Sequence, residues 1–342
     1  MHKPLLVIKF GTAAITKADG SIDKDCIFHL ASQIAEFHKE YHIIIVSSGA
    51  VGTGKTFLPS YQGKIAERKA AAAIGNPLLI QMYAQAFAPY GIFIAQSLCE
   101  RRHFSDREQF LELRETYTTL WKNDIIPIAN ENDVVSSRAL KFSDNDELAT
   151  RIAIGFGANM LLIGTSVEGV LDEQGHTVRD IFEFDKSILS LVKKEKSASG
   201  LGGMISKLAF ARLASSMGIP VVIFKAKGNH YLSKAIAKET GTYCHAKKSG
   251  KSSRQKWITA GGIISGKLIV DNGAADALKN RKSLLAVGIK EIIKPFGIGD
   301  IIEIADLDNH IIAIGQARQA SEAIGDIQNN NVIAHVNEIV LL

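Results

Sequence analysis

Six unbroken apolar runs mark the first part of the chain: LLVIKF (5–10), IIIV (43–46), IFIAQSL (92–98), IIPIAN (125–130), MLLIG (160–164) and PVVIF (220–224). None alternates strictly between apolar and polar positions, so each reads as a strand buried on both faces of a parallel sheet. Between them the period becomes helical. In DKDCIFHLASQIAEFHKEY, Ile27, Leu30, Ile34 and Phe37 share one face. DREQFLELRETYTTLWKND and MISKLAFARLASSMG keep that spacing, and Gly218 ahead of Pro220 stops the second. Strand and helix alternating in this way predict an α/β fold, a three-layer sandwich around a mainly parallel sheet, with ligands at the carboxyl ends of the strands.

Toward the C-terminus the pattern shifts to short β-rich runs cut by Gly and Asp-Asn turns, as in GIKEIIKPFGIGDIIEIADLDNHIIAIGQA. This spacing predicts a small, mostly antiparallel β-barrel. Before it lies KKSGKSSRQK (247–256), with five basic and no acidic residues. Its Ser and Gly content marks a solvated basic linker rather than a binding surface. The expected organisation is a main domain over 1–246, the linker over 247–256 and the barrel over 257–342.

Composition narrows the class. The chain is 46% apolar with a formal charge of +5, as expected of a soluble globular protein. No apolar run reaches the roughly 18 residues that cross a bilayer. MHKPLLVIKFG carries too short an apolar patch for a signal peptide. Cys26, Cys99 and Cys244 have no metal-ligand spacing, and a reducing, cytoplasmic setting is expected. From residue 257 onward seven basic residues face ten acidic ones, which argues against sequence-independent nucleic-acid binding there.

Candidate chemistry gathers at the strand ends. Gly49 to Thr56 fits the phosphate-loop pattern G-x-x-x-x-G-K-[ST]. Such a loop needs its Gly-Lys-Thr to open a helix whose free N–H groups face the phosphates. Pro59 forbids that helix, and the match is read as accidental. What remains is SSGAVG, hydroxyls and bare backbone at a strand end. Lys9 stands inside an apolar run, where an unpaired ammonium is costly. IANENDVVS ends another strand with polar residues, and Asp144, Asn145 and Asp146 open a helix. N-capping explains one of those three. SASGLGGMISKLAF is a glycine-rich loop opening a helix with Lys207 one turn in, the features of an anion cradle.

VIKFGTAAIT, IIIVSSGAVG, DREQFLELRET, IIPIANEND, SDNDELA and GGMISKL together resemble the amino-acid kinase family, in its order and approximate spacing. The C-terminal GKLIVDNGAADALKNRKSLLAVGIKEIIKPFGIGDIIEI is similar to a PUA domain, known from RNA-modifying enzymes. The resemblance implies ATP-dependent phosphorylation of the side-chain carboxylate of L-glutamate, at the start of proline synthesis. It implies ATP with Mg2+, inhibition by L-proline and a homo-oligomer. By position, Lys9 and Lys207 would flank the transferred phosphoryl group, with Asp146 orienting both. Ser48, Asp133 and Asn145, with Asp144 nearby, would take the amino acid. Thr165 and Ser166, with Leu201, Gly202, Gly203, Met204, Ile205, Ser206 and Lys207, would take the nucleotide. Ala13 stands where the family usually has Ser, Ser166 where Asp is common, and the SGLGGM loop is short. Other kinases of the same fold, acting on acetylglutamate or aspartate, and RNA binding through the PUA-like part are the alternatives.

The chemistry suits those residues. A glutamate side chain in water loses its proton at about pH 4.3 and is ionised at neutral pH, so no base is needed. The difficulty is an anion approaching a polyanion, which two lysines and helix N-terminal amides answer.

Overall fold

The computed structural model describes residues 3–17, 21–135, 144–185, 188, 203–247, 264–324 and 331–341. The linker residues 248–256 and the loop residues Leu201 and Gly202 lie outside them. Two compact units emerge: Met1–Glu100 with Leu111–Ser249, and Arg101–Phe110 with Gly250–Leu342. In chain order the elements up to Ser249 are β1 (Leu5–Phe10), α1 (Thr12–Ile15), α2 (Lys24–Phe37), β2 (His42–Ser47), α3 (Ala50–Lys55), α4 (Ile65–Phe87), β3 (Ile94–Cys99), α5 (Arg102–Ser105), α6 (Arg107–Lys122), β4 (Ile126–Glu131), α7 (Asn145–Phe156), β5 (Met160–Thr165), β6 (Asp180–Ile181), α8 (Gly203–Ser216), β7 (Val221–Lys225), α9 (Tyr231–Ile236) and β8 (Thr242–Cys244).

The strands of the first unit form an eight-stranded sheet ordered β3-β4-β2-β1-β5-β7-β8-β6. Every pairing is parallel except β7 with β8. The six apolar runs are all strands, each within two residues of its expected start. All six residues of β1 are buried, as a central strand covered on both faces requires. β3 departs from the expectation. It sits at the sheet edge and only Cys99 in it is fully buried, so an apolar run does not by itself tell edge from centre. The chain runs outward from β1 through β2 and then returns to lay β5 on the other side. The order therefore reverses at β1, the place where open α/β sheets form a crevice at their carboxyl ends.

The longest helix, α4, has no counterpart in the pattern of apolar stripes. It carries Gly75, Asn76 and Pro77 in mid-helix, residues that read as a turn. Alanine-rich sequence and tertiary packing override that signal. Gly54 on α3 and Gly75 on α4 let the two helices touch backbone to backbone. A Cβ on Gly54 would lie 1.8 Å from the Ala71 carbonyl oxygen, and one on Gly75 1.8 Å from that of Ala50. Gly54→Ala is therefore expected to lower stability by about 1–3 kcal/mol. The reading is a lower urea midpoint at unchanged m-value; an unmoved midpoint would mean the helices part freely.

The second unit holds β9 (Ile264–Val270), α10 (Asn272–Lys279), β10 (Leu284–Leu285), β11 (Ile289–Lys294), β12 (Ile301–Ala305), β13 (Ile311–Gln316), β14 (Val332–Ala334) and β15 (Ile339–Leu341). A five-stranded sheet, β11-β9-β12-β13-β15, and a β10–β14 pair surround one core that includes Leu268, Val270, Ile302, Ile304 and Ile333. Of these pairings only β9 with β12 is parallel, in line with the mostly antiparallel expectation.

Candidate active site

The site begins with α3, because that helix decides what Gly49–Thr56 can be. Gly49 takes a left-handed φ of 101° and turns the chain from β2 into Ala50–Lys55. The helix ends at Lys55, so Gly-Lys-Thr closes a helix instead of opening one. The free N–H groups of a phosphate loop are not at Lys55, and Gly54 serves the contact with α4.

Lys9 is 4% exposed and pairs in register with Val46 of β2 and Ile163 of β5. Its ammonium lies 2.7 Å from Asp146 Oδ1, and that of Lys207 lies 2.9 Å from Asp146 Oδ2. One carboxylate thus holds two ammonium groups from distant parts of the chain. Lys9 and Asp146 form a short buried ion pair, and Lys207 donates a hydrogen bond to Asp146 and a longer one, 3.3 Å, to the Gly203 carbonyl. Burial pulls the Lys9 pKa down from the ordinary lysine value, and the Asp146 charge opposes it. Burial pushes Asp146 up, but Lys9 and Lys207 together outweigh that and hold its carboxyl below the usual range.

Asp144 caps α7, its Oδ1 accepting from the backbone N–H groups of Asp146 and Glu147 at 3.0 and 3.1 Å. Its Oδ2 accepts from the Ser206 hydroxyl at 2.5 Å. The ends of α7 and α8 are joined by two polar rungs, Ser206 to Asp144 and Lys207 to Asp146. The Asp144 carboxylate is thus engaged by three protein donors, which makes it a fastening between helices.

On the other side of Asp146, the two hydrogens of Asn145 Nδ2 are shared among three acceptors, Ser48 Oγ at 2.9 Å, the Ser47 carbonyl at 3.0 Å and Asn130 Oδ1 at 3.0 Å. Ser47 Oγ in turn lies 3.0 Å from the hydroxyl of buried Tyr83. Asn130 and Asn76 belong to this cluster and were not among the residues singled out from sequence. The only signal for Asn130 is a polar residue closing an apolar run; Asn76 lies 54 residues away in an unreadable helix. Asp133 follows β4 by two residues and is half-buried. Thr165 ends β5, two residues beyond Ile163, the partner of Lys9, while Ser166 is exposed. Of the nucleotide-loop residues, Gly203 and Ile205 are exposed, and Met204, Ser206 and Lys207 are half-buried.

Lys9, Asp146 and Lys207 therefore form a charged centre at the sheet crevice, with Ser48, Asn145 and Asn130 beside it. Two ammonium groups gathered on one carboxylate are able to meet the charge of an anionic group such as a phosphoryl. The chain belongs to the amino acid kinase family, whose profile matches residues 4–225. Residues 266–338 match the PUA domain. Relatives named glutamate 5-kinase are similar to it over nearly its whole length. That of Proteus mirabilis is 38% identical over 330 residues, 93% of this chain and 90% of that protein. That of Salmonella paratyphi B is 35% identical over 337 residues, 95% of this chain and 92% of that one. Among solved structures, carbamate kinase from Giardia lamblia bound to AMP-PNP superimposes with a TM-score of 0.54 at 18% identity, over 72% of this chain and 99% of that one, a likeness of fold. Among the described residues no helix is long and apolar enough to cross a membrane.

Proposed function

We propose that the protein transfers the terminal phosphoryl group of ATP to the side-chain carboxylate of L-glutamate, giving L-glutamyl 5-phosphate, the entry step of proline synthesis. The observation that carries this is one buried carboxylate, Asp146, holding the ammonium groups of Lys9 and Lys207 at 2.7 and 2.9 Å. The names of the curated relatives supply the acceptor. A carboxylate oxygen bonds to the γ-phosphorus while the bond from that phosphorus to the β–γ bridging oxygen breaks, and ADP leaves. No proton moves, because the acceptor is already ionised. Lys9 and Lys207 meet the charge that spreads over the γ-phosphoryl oxygens; Asp146 aims both and favours the charged form of Lys9.

Mg2+ enters with the nucleotide as part of the substrate. The carboxylates of Asp144 and Asp146 are taken by protein donors, so they act on the lysines and helix ends and not as its ligands. Inhibition by L-proline and assembly of several copies belong to the same reading.

Incubation with ATP, Mg2+ and hydroxylamine tests it. Glutamate is expected to yield its hydroxamate, and N-acetylglutamate and aspartate little. Hydroxamate formed mainly from either of the latter two would move the protein to another branch of the family.

A further inference from the structure

The amide cluster beside the charged centre has a fixed polarity. The backbone N–H of Glu131 can only donate, and it donates to Asn130 Oδ1 at 2.9 Å. The Asn130 amide nitrogen is therefore turned toward Asn76, whose Oδ1 accepts from it at 3.0 Å. The Ser47 carbonyl can only accept, so Asn145 turns its nitrogen toward that carbonyl, where Asn130 Oδ1 also receives it. What is left over is Asn145 Oδ1 at one end and Asn76 Nδ2 at the other, both buried and with no hydrogen-bond partner among the described residues.

A buried acceptor without a donor calls for an explanation, and a ligand that brings a donor gives one. Asn76 itself is 5% exposed and borders a void of about 10 Å³ with Ser47, Ile80, Gln96 and Asn130, too small to admit an amino acid. It acts through Asn130.

We propose that Asn76 is a positioning residue: it anchors the Asn130 amide, which together with the Ser47 carbonyl holds the Asn145 amide with Oδ1 left for the ammonium of the amino-acid substrate. The inference rests on the glutamate reading above and refines it, since it gives Asn145 to the ammonium and leaves the α-carboxylate to other donors. A site of this polarity prefers an amine to its deaminated analogue, glutamate to glutarate. A receptor group left unpaired by an analogue discriminates strongly against it.

Asn76→Leu removes the acceptor while keeping the branched shape of the side chain, and Ile80→Ala loosens the same void without touching the relay. In Asn76→Leu the KM for glutamate is expected to rise about tenfold, with the KM for ATP within about twofold and the preference over glutarate lost. Ile80→Ala is expected to change none of these. Asn76→Ser, too short to reach Asn130, carries the decision if the leucine variant does not fold. A glutamate KM within about twofold of wild type, an equal rise in Ile80→Ala, or a wild type that takes glutarate as well as glutamate overturns the inference. A wild type that binds no glutamate defeats the substrate reading instead. Calorimetry with L-aspartate against succinate then decides the relay, which stands if an amine preference is lost in the variant and falls if wild type shows none.

Discussion

Asp146→Asn is expected to lower kcat about a thousandfold or more, and its residual activity is expected to rise as the pH is lowered. The carboxylate does two jobs here. It aims two ammonium groups, 2.7 and 2.9 Å from its oxygens, at one place, and it supplies the charge that lets Lys9 stay protonated while 4% exposed. An asparagine keeps one oxygen but turns an N–H₂ toward the other ammonium, so one lysine is repelled. Removal of one partner from a buried ion cluster leaves an uncompensated charge, which the protein sheds by losing a proton. Burial already pulls Lys9 below the ordinary lysine pKa with Asp146 present, so without it the drop is larger and neutral Lys9 becomes populated at working pH. Acid restores the ammonium, which sets the sign of the pH effect. The wild-type carboxyl lies below its unfolded value, so its share of stability is full above about pH 4 and disappears as the pH falls through the folded value; the variant lacks that acid-side loss. Steady-state kinetics from about pH 6 to 9 with denaturant curves at each pH check both. A variant with near-normal kcat, or one whose activity falls with acid, would remove Asp146 from the centre.

The legible part of this protein was the part whose physics is local. β1 and β2 were readable because a central parallel strand is buried on both faces and shows as an unbroken apolar run. Lys9 stood out because a lysine in such a run needs a partner, and Asp146 is that partner. The cap at Asp144 was readable as a cap; its second oxygen, bound to Ser206 across 62 residues, was not. The same holds for Asn76. Its helix shows no apolar stripe because it packs through alanines and Gly75, and its one side-chain hydrogen bond among the described residues spans 54 residues. Periodicity reports which face of an element is buried, and it is silent on which polar groups meet once the elements are packed.

Lys207→Ala is the second large effect, and its form separates chemistry from binding. The expected result is a loss of kcat of about 10²–10³-fold with the KM for glutamate changed little. Lys207 lies on the first turn of α8, and its ammonium is held by Asp146 and by the Gly203 carbonyl. None of its hydrogen bonds reaches Ser48, Asn145 or Asn130, so the amino-acid side of the site keeps its geometry when the lysine is cut back. Asp146 keeps Lys9, and a neutral buried pair remains, so the fold survives where Asp146→Asn strains it. The Ser206 rung to Asp144 still ties α8 to α7. The missing charge is felt only as negative charge spreads over the phosphoryl oxygens, which is why the loss belongs in kcat. A glutamate KM raised about tenfold at unchanged kcat would make Lys207 a ground-state anchor and leave Lys9 alone at the reacting phosphorus.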